Sequence, residues 1–304
     1  MRSNRSRQVT LARCRSARWA GAVALLALAS CPAVWQVGCA ANSTTRSASA
    51  SMNRTPERVD LVRSLGTLDA TFVVRSIATG RTLVHRPERA AMNLVPASTF
   101  KIPISMAALE TGVANGPDFT IAWDPERYPL SDDAPESWKQ DLTLRTGFAA
   151  SSEWFYGELG RRIGVDRMAA WTERLGFGEG TDLSAPGRFW LDGRLVISAL
   201  GQIDFLERFV RGELPISAAT TRTMRTIMLL EESGSTRFFG KTGTSAPDGA
   251  TPLGWLVGFV EHDGETYVYA LNINHERLLE DYGRARRGEL VRAALDELGL
   301  VPQR

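Results

Sequence analysis

Ser98 and Lys101 stand three residues apart in "PASTFKIP" (96–103). Of the 36 basic residues in the chain only Lys101, Lys139 and Lys241 are lysines, and arginine fills every other basic position. A guanidinium stays protonated in a protein, whereas a desolvated ammonium can lose its proton and act as a base. Serine needs such a base beside it to become a nucleophile, and a buried lysine is one recognised supplier. A spacing of three places both side chains on one side of a helix. A helix N-terminus at Ser98 would favour negative charge developing there. The rival reading is an N-cap serine followed by an exposed lysine, and with 22 serines in the chain roughly 0.2 chance S-x-x-K pairs are expected. Lys241 shifts the balance, because it opens "KTGT" (241–244) in a strand-like context where Gly243 would let another group approach the backbone closely.

These residues need a scaffold, and the periodicity outlines one. A short helix is expected near 57–64. "ATFVVRS" (70–76) and "RTLVH" (81–85) alternate like strands and join through Ala78, Thr79 and Gly80 as a hairpin. From Ser98 to about Glu232 apolar residues recur at helical spacing, over 102–110, 154–163, 165–175, 199–210 and 218–230. "FFGKTGT" (238–244), "LGWLVGFVE" (253–261) and "ETYVYALNI" (265–273) are rich in aromatic and β-branched residues, with "HDG" (262–264) as a tight turn between the last two. A final amphipathic helix spans about 284–298. Strands from both ends and helices from the middle predict an α+β fold. Its central antiparallel β-sheet would come from the N- and C-terminal segments, flanked by helices, with an inserted all-helical lobe. A cleft would form where lobe meets sheet.

The chain has 304 residues, 43% hydrophobic and 23% charged, enough for one large domain or two small ones. Its first 30 residues carry six arginines and no acid, and include the apolar run "AGAVALLALA" (20–29). That run is too short to span a bilayer permanently, so 1–31 reads as a signal peptide, with a disordered basic N-terminus as the rival. Without residues 1–30 the formal charge falls from +2 to −4, since six of the 36 cations and none of the 34 acids are lost. The one basic cluster that outlasts processing, "RARR" (284–287), reads as a solvated helix face, so no nucleic-acid partner is expected. Cys14, Cys31 and Cys39 all lie in the N-terminal stretch, which leaves the folded domain without disulfides or thiol chemistry. "LASC" (28–31) resembles a lipobox with an awkward Pro32 after it; Cys39, and ordinary cleavage near "CAA" (39–41), compete with Cys31. Residues 32–56 read as a flexible mature N-terminus and 57–304 as the catalytic domain, exported to the periplasm or secreted, with or without a lipid anchor. His85, His262 and His275 show no metal-ligand spacing, and no metal is expected.

S-x-x-K and K-T-G together are the motif pair of penicillin-recognising acyl-transfer enzymes. With "WD" (123–124), "DLTLR" (141–145) and "FWLDGRLVISALGQIDFLERF" (189–209) in the same order, the chain from about Leu68 to Leu298 resembles the class D β-lactamases, or oxacillinases. The resemblance implies a β-lactamase/transpeptidase-like fold and metal-free hydrolysis of the β-lactam ring of penicillins and related antibiotics through a serine acyl-enzyme, conferring antibiotic resistance. By it, Ser98 is the acylated serine. Lys101 takes up carbon dioxide, from bicarbonate, to become an N6-carboxylated base, which requires an amine kept neutral by burial. Trp190 matches the tryptophan that supports this carbamate, and Ser151 the serine that passes a proton to the lactam nitrogen. Lys241, Thr242 and Arg284 would hold the substrate carboxylate beside Gly243, and the backbone N–H groups of Ser98 and Thr244 would form the oxyanion hole.

Two places depart from the family pattern. Glu153 in "SSE" (151–153) replaces the valine of the S-x-V motif. It could point inward, pair with protonated Lys101 and oppose carbamylation; it could activate the deacylating water; or it could turn outward. Phe177 and Glu179 in "FGE" (177–179) replace the usual tyrosine and asparagine, losing a hydroxyl and an amide. The alternatives to a β-lactamase are therefore a penicillin-binding sensor domain and a D,D-peptidase-like enzyme, each acylated but slow to turn over. A monomer and a homodimer are both compatible with the sequence.

Overall fold

The computed structural model describes residues 55–180, 190, 193–246 and 249–302. The expected signal peptide and nearly all of the 32–56 segment lie outside the described residues, as do Phe189 and Leu191 beside Trp190. The chain begins with β1 (Glu57–Arg58), β2 (Asp69–Ser76), β3 (Thr82–His85) and the one-turn helix α1 (Pro87–Ala90). A 3-10 turn (Ala97–Phe100) then runs into α2 (Lys101–Glu110). The lobe follows with β4 (Thr120–Ile121), β5 (Leu142–Thr143), α3 (Leu144–Ala150), α4 (Glu153–Ile163), α5 (Val165–Leu175), α6 (Ala199–Val210) and α7 (Ala218–Met228). The chain returns to the sheet as β6 (Leu229–Ser233), β7 (Thr236–Ser245), β8 (Leu253–His262) and β9 (Glu265–Asn274), and continues into α8 (Leu278–Asp281) and α9 (Arg284–Glu297).

The seven-stranded sheet has the order β1-β3-β2-β9-β8-β7-β6. Its first-half strands and last-half strands meet where β2 pairs antiparallel with β9, from Asp69↔Asn274 to Ser76↔Tyr267. Both faces are covered. Phe72, Val74, Leu271 and Ile273 pack toward Leu290, Val291 and Leu295 of α9. Val73, Val257, Phe259 and Val268 pack toward the helices of the lobe, Ile203 and Phe205 among them. Successive strand residues face opposite sides, so a strand covered on both faces reads as a near-continuous apolar run, as β8 does. Asp263 (φ 48°) and Gly264 (φ 86°) make the two-residue turn between β8 and β9, the backbone that a D-G pair favours in a hairpin.

The structure differs from the sequence reading in three places. No helix forms over 57–64. Glu57 and Arg58 instead pair in parallel with Leu83 and Val84, and Leu61 and Leu65 enter the α9-side core through a single turn. The exposed edge of β3 recruits this segment, and the Glu57 carboxylate fastens it by accepting from Arg81 at 2.8 Å. The lobe, expected to be all-helical, also carries the short β4–β5 ribbon among the described residues. The helical pattern of 218–230 ends at Met228, where Leu229 turns extended (φ −62°, ψ 120°) and starts the edge strand β6.

Candidate active site

The turn that carries Ser98 is shaped by contacts on both sides. Ala97 adopts a left-handed backbone (φ 49°), a conformation that L-residues hold only when their surroundings impose it. Thr99 donates its N–H (3.1 Å) and its Oγ1–H (2.7 Å) to Pro96 O, and Gln202 Nε2 of α6 donates to Thr99 Oγ1 at 2.9 Å. On the sheet side, a Cβ at Gly243 would lie 3.0 Å from Pro96 O and 3.2 Å from Thr99 Cγ2. Glycine at 243 therefore lets β7 touch the turn that carries Ser98. Trp255 Nε1 of β8 adds a bond to Val95 O at 2.9 Å.

Lys101, in the first turn of α2, is fully buried. Its Nζ lies 2.9 Å from Ser98 Oγ, 2.6 Å from Ser151 O and 3.1 Å from Ser151 Oγ. Burial lowers its pKa to about 7; the charge of Glu153 pulls upward and that of Arg284 downward. Ser151 reaches the lysine because it caps α3 in a left-handed conformation (φ 58°), while Ser152 starts α4 by accepting from Phe155 N. Lys241 Nζ donates to Ser151 Oγ and to Thr242 O, both at 2.9 Å. Burial, then the charges of Lys101, Arg284 and Arg287, hold its pKa well below the usual lysine value. The Ser151 hydroxyl thus lies between two lysine amines. The third lysine, Lys139, pairs with Glu136 at 2.6 Å near the surface.

The remaining candidates are distributed around this centre. Arg284, the first residue of α9, donates to Ala149 O and so spans from α9 to the end of α3. It lines a groove of 350 Å³ with Phe148, Lys241, Thr242 and Ala285. Trp190 stacks on Phe100 at 5.8 Å, and Phe177 packs edge-on against Phe100 (5.5 Å) and Phe205 (4.9 Å). Phe177 therefore forms part of an apolar wall behind the turn that carries Ser98. Glu153 is exposed at the start of α4, although its charge still acts on Lys101. Glu179 is exposed as well; it accepts from Asn93 Nδ2 at 3.3 Å and exchanges backbone bonds with Val196. The structure does not bring it to the reactive groups.

Arg287 corrects the reading of "RARR" as a solvated face. It is 3% exposed and donates to Gly243 O (2.5 Å), Trp255 O (3.0 Å) and Thr244 Oγ1 (3.2 Å). A signal for this was present: Arg287 precedes Leu290, Val291 and Ala294 at spacings of three, four and seven, on the apolar stripe of α9.

Residues 70–296 match the penicillin binding protein transpeptidase domain family. The chain is 32% identical over 206 residues to the probable β-lactamase YbxI of Bacillus subtilis (strain 168), across 68% of this chain and 74% of that protein. A solved class D β-lactamase, YbXI from Nostoc, superposes with a TM-score of 0.73 at 34% identity, covering 80% of this chain and 100% of that one. The regulatory protein BlaR1 of Bacillus licheniformis is 30% identical over 231 residues, which are 76% of this chain but 37% of BlaR1. Within the transpeptidase-domain proteins, this chain belongs to the class D β-lactamase family.

Proposed function

We infer that this protein hydrolyses the β-lactam ring of penicillins and related antibiotics through an acyl-enzyme on Ser98, and so confers resistance to them. The observation that carries the reading is the chain of contacts Ser98 Oγ–Lys101 Nζ–Ser151 Oγ–Lys241 Nζ, each between 2.9 and 3.1 Å. Ser98 Oγ bonds to the lactam carbonyl carbon and its proton passes to Lys101, while the carbonyl electron pair moves onto oxygen. The backbone N–H groups of Ser98 and Thr244 stabilise that oxyanion. Collapse breaks the C–N bond, and the nitrogen takes a proton from Ser151 Oγ, which Lys101 replenishes. Lys241, Thr242 and Arg284 orient the substrate through its carboxylate. Water activated by the same base then releases the acyl group from Ser98.

A fully buried Lys101 whose pKa lies about 7 fits carboxylation, because only the neutral amine adds carbon dioxide. Ser98, Ser151 and Trp190 would hold the modified side chain, which would supply a carboxylate base in place of the amine. Residues 1–31 act as the export signal ahead of the 32–56 segment and the 57–304 catalytic domain, and the exported protein is either anchored by lipid at Cys31 or Cys39 or released free. Fatty-acid labelling of Cys31→Ser and Cys39→Ser variants tests the anchor.

The direct test is turnover of a chromogenic cephalosporin. It is expected to be steady, unaffected by a chelator, and lost in Ser98→Ala together with the covalent mass increase of the acyl-enzyme. Two observations favour a second reading, a penicillin sensor: the charge of Glu153 pulls upward on the lowered pKa of Lys101, and BlaR1 is among the similar proteins. A wild-type protein acylated once at Ser98 and never released would establish that reading instead.

A further inference from the structure

The C-terminus of α3 carries Ser151, and a helix end leaves its last carbonyls without donors of its own. Here they are filled in order. Gly147 O and Phe148 O accept from the backbone N–H groups of Ser152 (3.0 Å) and Ser151 (3.1 Å). The next three accept from side chains of three other segments. Arg284 Nη1 of α9 donates to Ala149 O, Trp138 Nε1 donates to Ala150 O at 3.0 Å, and Lys101 Nζ of α2 donates to Ser151 O at 2.6 Å. Arg284 and Lys101 already have parts in the proposed reaction, and Trp138 has none. It belongs to the segment between β4 and β5, which is tied back to α4: Trp154 Nε1 donates to Trp138 O at 2.8 Å, and Tyr128 stacks on Trp154 at 5.0 Å. α3 and α4 meet closely at this corner, because a Cβ at Gly147 would lie 2.8 Å from Phe155 Cδ1. Ser151 itself holds a left-handed backbone (φ 58°), which an L-residue keeps only when its surroundings impose it.

We propose that Trp138 is a positioning residue for the proton transfer from Ser151 to the leaving nitrogen. It holds Ala150 O, and with it the left-handed turn at Ser151, so that Ser151 Oγ keeps its place between Lys101 and Lys241. The Lys101 bond to Ser151 O is strongest while the amine is charged and weakens when the proton leaves. An indole N–H does not titrate, so the hold of Trp138 persists as Lys101 changes its protonation state. Trp154 assists by fixing the Trp138 carbonyl. The inference rests on the assignment of Ser98 and Ser151 to the acylation step.

The test is a double-mutant cycle in the full chain, with Trp138→Phe, Ser151→Ala and the pair, read by stopped-flow acylation with a penicillin. Trp138→Phe keeps a ring and removes the donor. Alone, it is expected to lower the saturating acylation rate by about ten- to a hundredfold and to leave the dissociation constant of the substrate nearly unchanged. Added to Ser151→Ala it should cost less than about twofold, because the group that it positions is already gone. A residue that only supports the fold would slow acylation equally in both backgrounds, and one that touches substrate would weaken binding. Either result overturns the proposal, as does a folded Trp138→Phe with wild-type acylation. If Trp138→Phe does not fold, Trp154→Phe, which removes the bond to Trp138 O, is carried through the same cycle with the same expectation. Wild-type protein that no β-lactam acylates overturns the reading of Ser98, and this inference with it.

Discussion

The role proposed for Lys101, as a base or as the amine that takes up carbon dioxide, requires it to be neutral, and its surroundings set the pH at which that holds. Its pKa is lowered from 10.5 to about 7, chiefly by burial, so kcat/KM should climb with pH through about 7 and then level off. Glu153→Gln removes an upward pull, and its pH–rate midpoint should move lower, with less need for added bicarbonate. A variant that is instead slow at every pH would make Glu153 a working base. The stability sign follows from the same shift. Between about 7 and 10.5 the unfolded chain binds the proton that the folded one does not, so the cost of burying Lys101 is largest at low pH and fades as pH rises. Lys101→Met should therefore melt higher than wild type at pH 6 while losing turnover, as differential scanning calorimetry and a rate assay would show. Ser98, Lys101 and Lys241 were legible because lysine is scarce in this chain and sits at two chemically sensible spacings. Arg287 was not, because arginine is this chain's ordinary surface cation and only packing distinguishes a buried one.

At the scale of elements, the contact between β7 and the 3-10 turn is the joint on which the site depends. Gly243→Ala would bring a Cβ to 3.0 Å from Pro96 O and 3.3 Å from Thr99 N, both backbone atoms that cannot rotate away. The expected result is acylation slowed by about a hundredfold, visible by stopped flow, with the sheet still formed by circular dichroism. Where local chemistry marks an element's ends, sequence and structure agree: α5 runs between Gly164 and Gly176, and α6 begins after the Ser198 cap. Where the decisive contact is distant, they part. The 57–64 segment has helical local character, yet it is held by β3 more than 20 residues later. Leu229 and Leu230 continue the period of α7, yet they leave it for β6, where Leu229 pairs with Phe239 of β7.

The whole molecule couples two apolar layers through one sheet, and α9 seals the layer away from the lobe. Leu295, fully buried there, can be tested apart from the chemistry. Leu295→Ala should lower the free energy of unfolding by about 2–5 kcal/mol in a denaturant titration, with kcat/KM retained in the folded fraction. That the sheet draws on both ends of the sequence was legible from where the strand patterns cease and resume. The register of β2 on β9 was not, since it is set by side chains some 200 residues apart. That same pairing orders events in time. A chain that emerges from its N-terminus first presents Ser98, Lys101 and Ser151 long before β9 exists to close the sheet beside β2. Such distant pairings form slowly. The proposed nucleophile and base therefore lack Lys241 and the packing of Gly243 on the Ser98 turn until residues 236–245 have been made, late in the chain.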